Sequence, residues 1–169
     1  NGYRVRGTLR DLVRAATINK ALSAHVDTAQ IEFIATDLLE DAGWEDAMEG
    51  VSGVLHVASP FPLSAPANQD DVVRPAVEGT LRVLRAAADA DVARFVHTSS
   101  LSAIASGHDL NTTAKLSERD WSRLDAPKIS AYARSKTMAE LAARAFVSEP
   151  GLGLHYASIN PGFVLGPLL

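Results

Sequence analysis

Short apolar runs alternate along the chain with longer segments in which apolar residues recur at helical spacing. The short runs predict five β-strands, at residues 3–9, 31–36, 53–58, 94–98 and 154–159. The longer segments predict helices at about residues 11–25, 43–49, 70–90 and 130–148, and loops at 59–69 and 101–127. This alternation is typical of βαβ units around a parallel sheet, so the sequence predicts an α/β fold.

Length and charge narrow the class of protein. The chain has 169 residues, 47% hydrophobic and 21% charged, which suits one globular domain. A net charge of -4 argues against binding to nucleic acid or to an anionic membrane, and no apolar run is long enough to span a bilayer. The absence of cysteine excludes disulfides and thiolate metal sites and fits the reducing cytoplasm, where we expect the protein to be located.

A tyrosine and a lysine lie four residues apart on the last predicted helix. Tyr132 and Lys136 therefore project from one helix face, within reach of a shared ligand. An ammonium group beside a phenol favours the phenolate, so such a pair can act as a general acid or base. The spacing alone leaves open the alternative of a partly exposed pair on a helix surface.

The fourth predicted strand ends in three hydroxyl residues, Thr98, Ser99 and Ser100. They lie at the C-terminal end of a buried strand, where open α/β sheets bind their ligands. A hydroxyl group there can hold a substrate oxygen, whereas the alternative is that these residues only turn the chain. The tyrosine and lysine on the following helix favour the first interpretation.

Two histidines, His56 and His97, lie in predicted core strands. We expect both to be packed and hydrogen-bonded, because no third residue has the spacing of a metal ligand. The sequence therefore predicts no metal site.

Together these motifs resemble the extended short-chain dehydrogenase/reductase family, within the NAD-dependent epimerase/dehydratase superfamily, and in particular its dihydroflavonol reductase and cinnamoyl-CoA reductase group. The resemblance extends over nearly the whole chain, and it is carried by residues 2–11, 37–38, 43–44, 56–61, 75–81, 98–100, 132–136 and 160–162. It implies a Rossmann-type doubly wound parallel sheet, with residues 1–169 as part of an NAD(P)-binding domain.

The resemblance also implies catalytic roles for three side chains. Tyr132 would donate a proton to a carbonyl oxygen as hydride arrives from the nicotinamide. Lys136 would favour the tyrosine's phenolate and bind the ribose hydroxyls, and Ser100 would hold the carbonyl oxygen. These roles agree with the chemistry of the residues themselves.

A set of cofactor contacts follows from the same resemblance. Asp37 and Leu38 would meet the adenine. The other contacts lie after the later strands, along the middle of the cofactor and around the nicotinamide, and comprise Val57, Ala58, Ser59, Thr98, Lys136, Pro161, Gly162 and Val164.

Arg10 bears on the choice between NADP and NAD. It lies just after the first predicted strand, which matches the family's second strand, where an arginine accommodates a 2′-phosphate and an acidic residue binds a 2′-hydroxyl. Arg10 therefore favours NADP. NAD stays open as an alternative because Asp11 is adjacent, and a sequence does not separate ribose binding from helix capping. The other interpretation is that Arg10 is a solvated residue at the end of the strand and has no role in cofactor binding.

The family's glycine-rich turn, which binds the diphosphate at a helix N-terminus, is absent from the sequence. None of the eleven glycines forms G-x-G-x-x-G or G-x-x-G-x-x-G. We expect the family's first strand and this turn to precede Asn1, and a C-terminal substrate lobe to lie outside the chain. The chain would then be a truncated Rossmann domain that by itself folds marginally and binds cofactor poorly.

The sequence thus predicts an oxidoreductase that transfers hydride between NADP(H) and a small-molecule carbonyl or alcohol. A sugar-nucleotide epimerase or dehydratase with bound NAD would use the same three residues, but Ala76, where many such enzymes carry asparagine, favours a reductase. Outside enzymes, the alternatives are a non-catalytic dinucleotide-sensing module and a scaffold without a ligand. The apolar stripe of the last helix is compatible with a homodimer.

Overall fold

The computed structural model describes residues 2–61, 66–109 and 115–165. The described residues form five strands, β1 (Val5–Leu9), β2 (Ile31–Ala35), β3 (Gly53–His56), β4 (Arg94–Thr98) and β5 (His155–Ile159). They also form four α-helices, α1 (Ala15–Leu22), α2 (Trp44–Met48), α3 (Asp70–Asp89) and α4 (Ala131–Val147). The elements follow one another as predicted, and the α/β fold is confirmed.

The ends of several elements differ from the predicted ones. The first helical segment opens with a 3-10 helix over Leu12–Arg14, and α1 follows it. Asp11 caps this turn, since its Oδ1 accepts a hydrogen bond of 2.9 Å from the backbone nitrogen of Val13. The capping role considered for Asp11 is therefore present in the structure.

All strand pairs are parallel, and they form two sheets. β1 pairs with β2, whereas β3, β4 and β5 form a second sheet with β4 in the middle. In the doubly wound order 3-2-1-4-5-6, β1 corresponds to the second strand and β3 to the fourth. These two strands are not neighbours, because the first strand lies between them. The separation of the two sheets therefore agrees with a Rossmann-type topology.

One face of β3 is exposed, although its run of apolar residues would suit a parallel strand that is buried on both faces. Leu55 is 76% exposed and Val57 is 64% exposed, whereas His56, on the opposite face, is buried. β3 pairs with β4 along one edge only. Within the part of the chain that the structure describes, nothing covers Leu55 and Val57.

The core lies where α3 and α4 pack together beside the three-stranded sheet. Leu84 of α3, Phe95 of β4 and Ala143 of α4 are fully buried and belong to one hydrophobic cluster. A glycine allows α3 to approach a neighbouring segment closely, since Gly79 of α3 lies directly against Leu38.

Among the described residues, no helix combines the length and the hydropathy needed to cross a membrane.

The two core histidines are packed and hydrogen-bonded as predicted. His56 Nε2 lies 3.4 Å from Thr80 Oγ1, and His97 Nδ1 lies 2.9 Å from the Tyr156 hydroxyl. Burial is the main cause that lowers the pKa of His56 to about 3 and the pKa of His97 to about 4. The positive charge of Lys136 adds to both shifts.

Candidate active site

The C-terminal ends of β3, β4 and β5 border a cleft of about 260 Å³. Its lining combines residues from four separate segments, Val57, Ser59, Pro60, Phe61, Thr98, Ser99, Ser100, Tyr132, Lys136, Pro161, Gly162 and Val164. All three residues predicted to be catalytic line it, together with most of the predicted cofactor contacts. The fold therefore brings distant parts of the sequence to one place.

Helix α4 positions Tyr132 and Lys136. Ser130 begins the helix, because its side chain accepts a hydrogen bond of 3.1 Å from the backbone nitrogen of Ala133. Tyr132 lies in the first turn and Lys136 one turn later, with the lysine Nζ 5.9 Å from the centre of the tyrosine ring. Nζ also donates to the Thr98 carbonyl oxygen at 3.2 Å. The phenol and the ammonium group therefore converge on the end of β4.

The environment of Lys136 is unusual for a lysine. The residue is 5% exposed, and burial lowers its pKa by disfavouring the charged ammonium. Charges that have lost water interact more strongly with their neighbours than hydrated ones do. Lys136 is therefore suited to act on a nearby phenol or on a ligand hydroxyl.

Ser100 follows β4 in extended conformation and is 8% exposed. Its Oγ accepts a hydrogen bond of 3.1 Å from the backbone nitrogen of Ser102, which caps the 3-10 helix Leu101–Ala103. That bond uses an acceptor position of the hydroxyl and leaves its hydrogen available for donation. Ser100 can therefore donate to an oxygen atom in the cleft while the backbone holds its position.

Phe61 is a cleft residue that sequence reasoning did not single out. Its ring meets the Tyr132 ring edge-on, with 5.2 Å between the two centres, and it is 68% exposed. Pro60 also lines the cleft without having been predicted, and Ser99, one of the three hydroxyl residues after the fourth strand, lines it as well. The sequence shows only that Phe61 is aromatic and follows β3. It does not show that the side chain reaches Tyr132 on α4.

A second cavity of about 390 Å³ lies at the C-terminal end of β1. It is lined by Leu9, Arg10, Asp11, Arg14 and Asp37. Two predicted cofactor contacts, Arg10 and Asp37, therefore share one cavity. Arg14, four residues after Arg10, adds a second guanidinium group that the sequence analysis missed.

Two predicted contacts lie outside both cavities. The Leu38 side chain packs against α3, so closely that a Cβ atom at Gly79 would be 2.9 Å from the Leu38 Cβ. The Leu38 carbonyl oxygen accepts a hydrogen bond from Arg82. Ala58 is exposed beside the cleft, between Val57 and Ser59, without lining it. Cofactor roles for Leu38 and Ala58 stay predictions.

A buried carboxylate lies next to the candidate site. Glu140, one turn after Lys136 on α4, is 1% exposed. Its Oε1 accepts from Arg144 at 2.8 Å and from the Ser158 hydroxyl at 2.7 Å. Its Oε2 accepts from Asn160 Nδ2 at 2.8 Å, and the same nitrogen donates to the Ser100 carbonyl oxygen at 3.2 Å. Glu140 is therefore connected to the chain segment that carries Ser100.

Hydrogen bonding keeps this buried carboxylate charged. Burial alone would raise the pKa of Glu140, but the hydrogen bonds donated to the carboxylate outweigh burial, and its pKa lies below the usual value. The sequence held one signal for this residue, since Tyr132, Lys136 and Glu140 recur at four-residue intervals on one helix face.

Comparisons with known proteins agree with the resemblance found in the motifs. Residues 1–168 match the model of the NAD dependent epimerase/dehydratase family. The chain is 35% identical over 173 residues to tetraketide alpha-pyrone reductase 1 of Arabidopsis thaliana, across 99% of this chain and 52% of that protein. It is 34% identical over 175 residues to dihydroflavonol 4-reductase of Arabidopsis thaliana, across 99% of this chain and 44% of that protein.

The fold is similar to that of a solved yeast enzyme. The crystal structure of yeast methylglyoxal/isovaleraldehyde reductase in complex with NADPH superposes with a TM-score of 0.84 at 24% identity, over 98% of this chain and 52% of that one. At this identity the likeness concerns the fold alone. The chain spans about half the length of the relatives it matches.

Proposed function

The chain belongs to the NAD dependent epimerase/dehydratase family, and we propose that it forms the NAD(P)-binding part of a carbonyl reductase that uses NADP(H). The observation that carries the proposal is that Ser100, Tyr132 and Lys136 line one cleft. Two relatives of 34% and 35% identity are reductases by name, which supports a reductase over an epimerase.

The three side chains supply what reduction of a carbonyl group requires. A reduced nicotinamide, when bound, supplies the hydride. Ser100 donates a hydrogen bond to the substrate oxygen and orients it, and the Tyr132 hydroxyl gives that oxygen its proton. Lys136, whose Nζ donates to the Thr98 carbonyl oxygen, holds positive charge beside the tyrosine ring and offsets the negative charge that the proton transfer leaves there. In the reverse reaction Tyr132 takes the proton back.

The two cavities fit the two ends of a dinucleotide. The cleft at Lys136 offers a buried ammonium group to ribose hydroxyls, and the second cavity offers the guanidinium groups of Arg10 and Arg14. Guanidinium groups are suited to binding a phosphate through two parallel hydrogen bonds, so this cavity favours the 2′-phosphate of NADP. Asp37, in the same cavity, is placed to accept from the adenosine hydroxyl or amino groups.

Replacing Tyr132 by phenylalanine in the full-length protein that carries these residues tests the catalytic proposal. The ring and its contact with Phe61 are kept and only the proton donor is lost, so we expect kcat for NADPH-dependent carbonyl reduction to fall about 10²- to 10⁴-fold. The dissociation constant of NADPH, measured by fluorescence titration, should stay unchanged. Rates would be followed by the loss of the absorbance of the reduced nicotinamide, with a panel of simple aldehydes and ketones.

Tyr3→Phe is a matched control, because it removes the hydroxyl of a tyrosine that is 75% exposed and outside both cavities. This variant should keep the wild-type kcat. Turnover by Tyr132→Phe at the level of this control would remove Tyr132 from the catalytic role.

Replacing Arg10 or Arg14 by alanine tests the choice of NADP. Each loses a charge-assisted hydrogen-bonding group, so the ratio of kcat/KM for NADPH to that for NADH should fall about 10- to 100-fold. Rates with NADH should change little. Equal losses with both cofactors would contradict a role in binding the 2′-phosphate.

We also propose a mode of pairing between two copies and a cellular location. Pairing of two copies through α4 is supported by Met138 and Leu141, which are 37% and 39% exposed on that helix, and light scattering would test it. A cytoplasmic location stays a prediction from the absence of cysteine.

A further inference from the structure

We propose that Glu140 is a positioning residue that, through Asn160, holds Ser100 in a fixed position relative to helix α4. Tyr132 and Lys136 belong to that helix, so Glu140 and Asn160 would set the geometry of all three proposed catalytic residues. We call Glu140, Asn160 and the Ser100 carbonyl group the clamp. The catalytic consequence of the clamp rests on the proposed reductase function, whereas its mechanical role does not.

The hydrogen bonds of Asn160 define the clamp. The amide nitrogen Nδ2 donates to Glu140 Oε2 at 2.8 Å and to the Ser100 carbonyl oxygen at 3.2 Å. Both partners are acceptors, so the asparagine must direct its NH₂ group, with its two hydrogens, towards them. Each hydrogen has its own acceptor, and the side chain thus connects α4 to the segment after β4.

The two oxygens of the Glu140 carboxylate serve different purposes. Oε1 accepts from Ser158 of β5 and from Arg144 of the same helix, which fixes the carboxylate in place. Oε2 accepts from the Asn160 amide, which also donates to the Ser100 carbonyl oxygen. A group that is 1% exposed and hydrogen-bonded on both oxygens has little freedom to move.

Ser100 has further backbone ties that explain why its position is sensitive. The Leu101 nitrogen donates to the Pro161 carbonyl oxygen at 2.9 Å, so the segments after β4 and β5 run side by side. Asn160 precedes Pro161 and joins this pair of segments to the helix. Without Asn160, the Lys136–Thr98 hydrogen bond would still join β4 to the helix, but Ser100 would lose its own connection to Glu140, and the paired segments would open more often.

The reaction proposed for the cleft makes that distance important. Ser100 and Tyr132 would act on one substrate oxygen, so both must reach it in the same geometry. A displacement of about 1 Å in a group that orients a substrate can lower a rate about 100-fold. The clamp therefore predicts losses in kcat rather than in cofactor binding.

Asn160→Ala is the central test. We expect kcat to fall about 10- to 100-fold, with the KM for NADPH unchanged. Thr137→Val is the matched control, because it removes a buried hydrogen bond on the same helix, from Thr137 Oγ1 to the Ala133 carbonyl oxygen, without touching Glu140 or the Ser100 segment. It should keep the wild-type kcat even if it lowers the unfolding temperature as much as Asn160→Ala does.

Two comparisons separate positioning from general stability. In a Ser100→Ala background, Asn160→Ala should add little further loss of kcat, because the group it positions is already gone. Glu140→Gln, whose amide oxygen can still accept from Asn160, should retain much more kcat than Glu140→Ala. Additive losses from Ser100→Ala and Asn160→Ala, or equal losses from the two Glu140 variants, would overturn the proposal.

Amide hydrogen exchange tests the clamp without any assay of turnover. In Asn160→Ala and Glu140→Ala, exchange at Leu101 and Ser102 should accelerate about tenfold, whereas Thr137→Val should leave it unchanged. Wild-type exchange rates in both clamp variants would refute the mechanical role. If the full-length wild-type protein reduced no carbonyl compound with NADPH, the proposed function would be wrong, and the exchange rates would still decide whether the clamp exists.

Discussion

Lowering the pH from 7 to 5 is expected to destabilise the fold through His56 and His97. Both side chains are buried in the structure, at 5% and 2% exposure, on the same face of the three-stranded sheet. Burial lowers the pKa of His56 from 6.5 to about 3 and the pKa of His97 from 6.5 to about 4. In the unfolded chain both imidazoles are in water and titrate near 6.5. Acid therefore favours the unfolded state, which binds two more protons.

The charges that face the pair act mainly in the same direction. Lys136 lowers the pKa of both histidines, and each histidine would oppose a charge on the other. Arg144 lowers the pKa of His97, while Glu140 raises it. The net direction is downward for both, because loss of water is the largest contribution.

The size of the effect follows from the two pKa values of each group. The stability that depends on a neutral histidine is fully present above pH 6.5, and it is lost as the pH falls towards the folded pKa. A solution at pH 5 lies about 1.5 units below the pKa of 6.5 that each histidine has in the unfolded chain. The free energy of unfolding therefore falls by about 2 kcal/mol per histidine and about 4 kcal/mol for the pair. A typical domain has a total stability of about 5–15 kcal/mol, so the loss should be large.

Urea unfolding at pH values from 8 to 5 would measure this dependence, because the range spans about 1.5 units on either side of the pKa of a histidine in water. Near pH 5.5 the free energy of unfolding should change by roughly 2.5 kcal/mol per pH unit, and His56→Gln or His97→Gln should each reduce that slope by about half. Carboxylates contribute little in this range, since Glu140 starts from an unfolded value of 4.5 and has a lowered pKa.

The control is His155→Gln, which removes a histidine that is exposed at the start of β5 and is in water before and after unfolding. This variant should keep the wild-type slope. A flat wild-type profile between pH 6.5 and 5, or wild-type slopes in both core variants, would show that the two imidazoles are not held neutral in the fold.

Two further predictions concern packing and capping. Gly79→Ala should lower the free energy of unfolding by roughly 1 kcal/mol in a urea titration, because the added Cβ would lie 2.9 Å from the Leu38 Cβ and this overpacking outweighs the gain in helix propensity. Gly153→Ala, where a Cβ would meet nothing within 4 Å, should be neutral, and equal stabilities of the two variants would contradict the close contact. Ser130→Ala should cost about 1 kcal/mol through loss of the N-cap of α4, and Ser130→Asp should restore it; no loss in thermal unfolding would mean that the cap contributes nothing.

The order of strands and helices could be predicted because each element carries its own local signal. The run from Arg94 to Thr98 matches β4 at both ends, since its apolar centre, Phe95 and Val96, suits a buried strand and Ser99, which favours turns, follows it. The N-cap at Ser130 could likewise be located from residue type. The exposure of Leu55 could not, because an apolar residue in a strand predicts burial, and whether a neighbouring element covers it is a property of the assembled sheet.

The residues of the candidate site also differ in whether a local pattern predicts them. Tyr132 and Lys136 could be predicted because one helical turn separates them, and the helix alone decides that they share a face. Glu140 lies on that face too, but its partners Ser158 and Asn160 come from β5 and the turn after it. In a sequence, a glutamate one turn after a lysine looks like a solvated ion pair. Only the parallel pairing of β4 with β5, which sets the Ser100 and Asn160 segments side by side, makes the same glutamate a buried connection between the helix and Ser100.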